Sequence, residues 1–251
     1  MGDYLAWRAK FGVVTPSTNT VVQPEYDDMR PAGVTNHLAR IHIPDMRIES
    51  NEDFESLIAR IDADLDNAID RVMTCKPDHL ILGISALSVW GGSVAAGAAL
   101  KERMHRRAGA AIGVSHAAEA VPAALRAYGA GRRIAVVEPY YPTVEPRLGG
   151  VFRELGYDIV RYRHLKGRSP VTYTHLGARD MIEALKGIDG DDVEAIVQFG
   201  ANLPMARIAG EAERWLGKPV VSVNVATYWH ALRACGITDR IEGFTRLLTE
   251  F

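Results

Sequence analysis

Short apolar runs alternate with longer amphipathic stretches along the whole chain. That alternation predicts βαβ units and a mainly parallel sheet. Runs at 11–15, 38–43, 79–84 and 111–114 read as one set of strands. A second set falls at 133–137, 158–162, 195–199 and 219–223. Several are apolar throughout, as strands covered by helices on both faces should be. Residues 52–73 carry Phe54, Ile58, Ile61, Leu65, Ile69 and Val72 at three- and four-residue steps, the period of a helix with one buried face. Further helices are expected at 94–106, 116–127, 144–155, 178–186, 205–216 and 226–234. Gly129, Gly156, Gly217 and Gly236 stand where helix C-caps belong.

The pattern also repeats. Gly12-Val13-Val14-Thr15-Pro16 resembles Ile134-Ala135-Val136-Val137-Glu138-Pro139, and the strand at Ile81-Leu82-Gly83-Ile84 is comparable with Ile196-Val197-Gln198-Phe199. Ala124-Leu125-Arg126-Ala127-Tyr128-Gly129 echoes Ala231-Leu232-Arg233-Ala234-Cys235-Gly236. Offsets of roughly 105–120 residues mean two copies of one α/β unit, not a solenoid of short repeats. The expected fold is therefore α/β with two pseudo-symmetric lobes, each a parallel sheet flanked by helices. Residues 1–116 with the C-terminal segment 226–251 form the first lobe, and residues 117–225 the second. A ligand cleft lies between them.

Composition narrows the function. The chain has 251 residues, 47% of them hydrophobic and 24% charged, with a formal net charge of -2. Nothing attracts nucleic acid, and no basic block forms a backbone-binding stripe. No apolar run reaches the roughly 18 residues of a membrane span, and no apolar leader is visible near the start. With only two cysteines, Cys75 and Cys235, in no metal-binding spacing, a cytoplasmic location without a structural metal is expected.

Ligands of open α/β sheets sit beyond the carboxyl ends of the strands. The loops there run through Pro16-Ser17-Thr18-Asn19-Thr20, Ser85-Ala86-Leu87-Ser88, Ser115-His116, Glu138-Pro139-Tyr140-Tyr141, Gly200-Ala201-Asn202-Leu203-Pro204 and Val223-Asn224. They are rich in hydroxyls, amides and small residues, which suit a carboxylate or another compact anion. Neither G-x-x-x-x-G-K-[ST] nor G-x-G-x-x-G is present, so a nucleotide is not expected.

These loops resemble the Asp/Glu racemase superfamily, and within it the branch of maleate cis-trans isomerases and arylmalonate decarboxylases. Gly12-x-x-x-Pro16-Ser17-x-Asn19-Thr20 looks like the P-S-S-N-T motif of maleate isomerases. Ser88 with Gly91-Gly92, Pro139-Tyr140, Gly200-Ala201-Asn202-Leu203 and Gly217-Lys218-Pro219-Val220-Val221-Ser222 follow in the order of that branch. The resemblance implies a cofactor-independent isomerase or lyase acting on a small mono- or dicarboxylate, and a homo-oligomer of two or four copies. It also implies a cysteine after the third strand of each half, as a proton carrier or nucleophile. Here those positions fall on Ile84, or Ser85 if the register slips by one, and on Gly200. A non-thiol route is therefore expected.

The candidate catalytic residues are Tyr140, Ser85 and His116; the candidate substrate contacts are Pro16, Ser17, Asn19, Ser85, Ala86, Tyr140, Gly200, Ala201 and Asn202. Asn19 can donate to a carboxylate or cap a helix. Tyr140 can donate a hydrogen bond or a proton, and Ser85 and Ser88 can contact an oxyanion. Ser85/His116 and Tyr140/Glu138 are possible pairs. The segment 166–175 reads as a loop that could close over the cleft, with Arg161, Arg163, His164, Arg168 and His175 in or near it. Two alternatives stand beside the isomerase or decarboxylase: a hydrolase or lyase with a changed mechanism, and a non-catalytic carboxylate-binding protein on the same fold.

Overall fold

The computed structural model describes residues 3–109 and 111–251. Eight strands form two four-stranded sheets, parallel throughout. The first sheet contains β1 (Ala9–Pro16), β2 (Val34–Ile41), β3 (His79–Leu82) and β4 (Gly113–Ser115), in the order β2-β1-β3-β4. The second contains β5 (Arg133–Glu138), β6 (Asp158–His164), β7 (Ala195–Gln198) and β8 (Val220–Ser222), in the order β6-β5-β7-β8. The second order repeats the first strand for strand, which accounts for the echo in the sequence. Registers such as Val13 opposite Ile81 and Val136 opposite Val197 place fully buried β-branched pairs at the two sheet centres.

Helix α1 (Val22–Asp28) follows β1, and α2 (Asn51–Met73) follows β2. Ser50 and Asp53 form a capping box that fixes where α2 starts. Its buried stripe runs Phe54, Leu57, Ile58, Ile61, Leu65, Ala68, Ile69 and Val72. The short α3 (Ser85–Val89) and α4 (Val94–Ala108) precede β4, and α5 (Ala117–Ala127) follows it. After β5 come α6 (Glu145–Glu154), α7 (Ala178–Ile188), α8 (Ala206–Leu216), α9 (Val223–Ala234) and α10 (Arg246–Glu250).

Helices α5 and α9 each follow the last strand of a sheet and pack on one another between the lobes. Helix α9 also lies against β3, β4 and α1. There Tyr228 is buried against Phe11 and Tyr26.

Some boundaries differ from the expectation. The third strand ends at Leu82, so Ser85 opens a helix. The fourth strand is Gly113–Ser115 instead of 111–114. Helices α1, α3 and α10 were not expected, because five to seven residues carry too little periodicity to stand out. No helix among the described residues is long and apolar enough to cross a membrane.

Candidate active site

The carboxyl ends of β1, β3, β5 and β7 meet at the lobe junction, and the loops leaving them close a small cavity. After β3 the chain turns through Gly83 and Ile84 into α3, whose five residues are all buried. After β5, Pro139 directs Tyr140 across the junction. The Tyr140 hydroxyl lies 2.7 Å from Ser85 Oγ. The Ala201 N–H donates to Ser85 Oγ at 3.2 Å. The backbone N–H groups of Ala86 and Ala201 act on the Tyr140 oxygen as well, favouring its charged form against burial. Two hydroxyls and two backbone N–H groups, drawn from both lobes, thus converge on one point. Such a set of donors holds a carboxylate or a developing oxyanion.

Tyr140 is held by its ring as well. It stacks on Phe54 of α2 at 5.0 Å and meets Tyr173 edge-on at 6.1 Å. Burial pushes its phenol well above the usual range, so it stays protonated and acts as a donor. Its backbone N–H donates to Glu138 Oε2 at 2.7 Å. Glu138 is fully buried, bonded through Oε1 to His164 Nδ1, and His164 Nε2 lies 2.5 Å from Glu145 Oε1. Burial pushes the Glu138 carboxyl up to about 7, against the pull of His164. Burial opposes the charged form of His164, but its bonds to Glu138 and Glu145 outweigh that and raise its pKa.

The cavity has a volume of about 40 Å³, room for a few waters. Its polar side is made by Thr18, Asn19, Tyr140, Ala201 and Asn202; Ile43, Phe54, Leu57, Ile58, Ile61 and Ile84 form an apolar wall opposite. Among the described residues, no charged side chain lines it. Asn19 Oδ1 accepts from the Val21 and Val22 N–H groups, both at 2.9 Å. That cap at the start of α1 leaves Asn19 Nδ2 as a donor for the cavity. Tyr173 is 4% exposed, and its hydroxyl has no partner among the described residues. An unpaired buried hydroxyl costs about 1–3 kcal/mol, so Tyr173 offers the cavity a donor that no described residue uses.

The candidate residues separate on this geometry. Pro16, Asn19, Ala86, Tyr140, Ala201 and Asn202 line the cavity, and Ser85 lies directly behind it. The Asn202 amide is occupied: Oδ1 accepts from the Thr20 N–H at 3.0 Å, and Nδ2 donates to Pro170 O at 2.8 Å. Asn202 therefore ties three loops together and offers the cavity little hydrogen-bonding capacity. Ser17 is exposed, and its Oγ exchanges two hydrogen bonds with the Ile43 backbone. Gly200 does not line the cavity. A Cβ there would meet Pro139 Cδ at 2.3 Å, so its lack of a side chain seats the Tyr140 loop.

The Ser85/His116 pair does not form. His116 lines a second cavity of about 190 Å³ with Lys101, Glu119 and Arg126, and burial pushes its pKa down to about 4. Glu138 meets Tyr140 through the backbone, not through the hydroxyl.

The loop after β6 does cross the cleft. Arg168 O accepts from the Ile48 N–H at 2.8 Å, and the short 3-10 turn Thr172–His175 carries Tyr173 into the cavity. Sequence reasoning named the charged residues of this loop and missed its tyrosine. The signal was an aromatic side chain in a polar surface segment. Arg161 instead pairs with Asp192 at 2.6 Å. Neither cysteine lines the cavity: Cys75 Sγ donates to Val72 O, and Cys235 caps α9.

Two lobes of the same strand order, with a cavity where the carboxyl ends of their strands meet, define an α/β protein of the racemase-like kind. The profile of the arylmalonate decarboxylase family matches residues 50–248, and the chain belongs to that family. It is 25% identical to a maleate isomerase of Pseudomonas putida, over 96% of this chain and 97% of that one. A Nocardia farcinica maleate cis-trans isomerase, a mutant holding a covalently bound succinylcysteine intermediate, superposes with a TM-score of 0.85 at 22% identity, covering 96% and 98% of the two chains. An arylmalonate decarboxylase structure gives 0.71 at 23% identity, covering 95% and 98%.

Proposed function

We propose that this chain is a cofactor-independent isomerase or decarboxylase that acts on a small carboxylate without a thiol. The observation that carries the reading is the contact between Ser85 Oγ and the Tyr140 hydroxyl, with the Ala86 and Ala201 N–H groups on the same point. In this reading the substrate carboxylate sits in that cradle, beside Pro16, and Asn19 Nδ2 and the Tyr173 hydroxyl supply further donors.

The chemistry follows from the two faces of the cavity. A second carboxylate pressed against Ile43, Leu57, Ile58, Ile61 and Ile84 loses its hydration, which favours departure as CO2. The electron pair of the breaking carbon–carbon bond passes into the retained carboxylate as an enediolate, which the cradle stabilises. The Tyr140 hydroxyl then gives its proton to the α-carbon and regains one from solvent. A proton shift at the α-carbon uses the same groups. Cis-trans isomerisation through a covalent adduct would need a nucleophile that Cys75 and Cys235 cannot supply from where they stand.

The same reading takes residues 1–116 with 226–251 as one lobe and 117–225 as the other, supported by the packing of α9 on β3 and β4. It places the enzyme in the cytoplasm as a dimer or tetramer, which light scattering would test. The activity test is incubation with phenylmalonate, alkylmalonates, maleate and α-chiral monocarboxylates in D2O. Expected is CO2 release or deuterium at the α-carbon with at least one. Binding without either reaction across the panel would overturn the reading.

A further inference from the structure

Behind the cradle, His164 is held between two carboxylates, and the proton count of that array has a consequence. Glu138 Oε1 contacts Nδ1, and Glu145 Oε1 contacts Nε2 at 2.5 Å. Both contacts are hydrogen bonds only when two protons lie among the three groups, which the imidazolium form supplies. Glu138 is fully buried, whereas the Glu145 side chain is 39% exposed. On loss of one proton, the remaining one therefore stays on the buried Glu138 side. The bare Nε2 then faces the Glu145 carboxylate, and the array carries one more negative charge.

That charge bears on the cradle. Glu138 acts electrostatically on the phenols of both Tyr140 and Tyr173, and its Oε2 holds the Tyr140 backbone N–H. The groups facing the array are Tyr162, stacked on His164 within β6, Tyr140 of the loop after β5, Tyr173 of the crossing loop, and, near Tyr162, Arg153 of α6 and Asp158 of β6. Only Arg153 among them is a cation, and it acts on Tyr162. The proton on His164 is thus the nearest balance for Glu138.

We propose that Glu138, His164 and Glu145 form a charge-compensating clamp behind the cradle, in which Glu138 and His164 position Tyr140 and the proton on His164 sets the upper pH limit of carboxylate binding. The inference rests on the cradle being the carboxylate site. The three act through Tyr140 and through charge, so they are positioning residues.

Two measurements test it. In the first, log kcat/KM of the wild type falls on the alkaline side, by about tenfold per pH unit, through KM with kcat nearly constant. Glu145→Gln moves that limb to lower pH, because one carboxylate no longer supports the imidazolium. His164→Gln leaves Glu138 without the cation that lowers its pKa, so the buried carboxyl keeps its proton to higher pH and the limb moves up instead, opposite to Glu145→Gln. An alkaline limb unmoved in both variants, with the wild type active, overturns the clamp alone. A wild type inactive on every carboxylate overturns the reading of the cradle. The second measurement needs no substrate: 15N-resolved spectra should show His164 as imidazolium at pH values where a histidine at its ordinary 6.5 is neutral. A neutral ring there overturns the clamp.

Discussion

Ser85 and Tyr140 stand 55 positions apart in the chain, yet their hydroxyls meet at 2.7 Å, one from each lobe and both buried. The contact exists because two parallel sheets of the same strand order point their carboxyl ends at a common junction. The lobes depend on each other for a complete site: Ser85 and the Ala86 N–H come from the first, Tyr140 and the Ala201 N–H from the second.

Tyr140→Phe keeps the ring against Phe54 and removes only the oxygen. Loss of a group that is both oxyanion donor and proton donor lowers kcat by about 10³-fold or more, while the loss of one buried hydrogen bond costs about 1 kcal/mol of stability. Turnover and thermal melting of the same preparation check both. A large loss of stability with unchanged turnover would contradict the assignment.

Gly200→Ala tests whether that glycine seats the Tyr140 loop. The added Cβ overlaps Pro139 Cδ at 2.3 Å, so overpacking of about 1–3 kcal/mol is expected. Because the displaced proline precedes Tyr140, activity should fall with stability. Denaturant melts and kcat/KM measured together decide this; an unchanged Tm would show that the loop yields freely.

Thiol reagents should leave the activity intact. Cys75 and Cys235 are both partly buried, and burial pushes both thiols up, away from reactive thiolates. The double variant Cys75→Ser/Cys235→Ser should turn over at the wild-type rate within about twofold. Loss of activity in that variant would restore a thiol mechanism.

Glu25 makes stability depend on pH. Burial pushes its carboxyl up to about 7, against hydrogen bonds from the Ala206 N–H and Asn224 Nδ2. A carboxyl with a folded pKa above its ordinary 4.5 binds more protons folded than unfolded between those two values. Its contribution to stability therefore falls as pH rises from about 4.5 through 7, by on the order of 3 kcal/mol. Glu25→Gln should be relatively more stable at pH 8 than at pH 4, as urea melts at the two values would show. The opposite ordering would contradict a raised carboxyl.

The repeated βα pattern in the sequence carried the two-lobed fold, because strands covered on both faces must be apolar and the same order recurs in each half. The loops at the strand ends also carried Asn19, Ser85, Tyr140 and Ala201. Four things were not legible there. His116 occupies the same kind of strand-end position as Ser85, yet it faces the second cavity, and only the direction of the side chain separates the two. Asn202 looked like a free donor, but both ends of its amide are taken by loops distant in sequence. The apolar wall came from Phe54, Leu57, Ile58 and Ile61, whose helical period marks them as core whether they cover a sheet or a substrate. Tyr173 entered only because its loop folds back over the first lobe.

The central claim is that the Ser85–Tyr140 contact marks a carboxylate cradle. Calorimetric titration of phenylmalonate into the wild type and into Ser85→Ala/Tyr140→Phe, at one pH and ionic strength, tests it most directly. Saturable binding to the wild type and a Kd weakened by about 10²-fold or more in the double variant are expected, with the fold retained by circular dichroism. Equal affinities in the two proteins would contradict it.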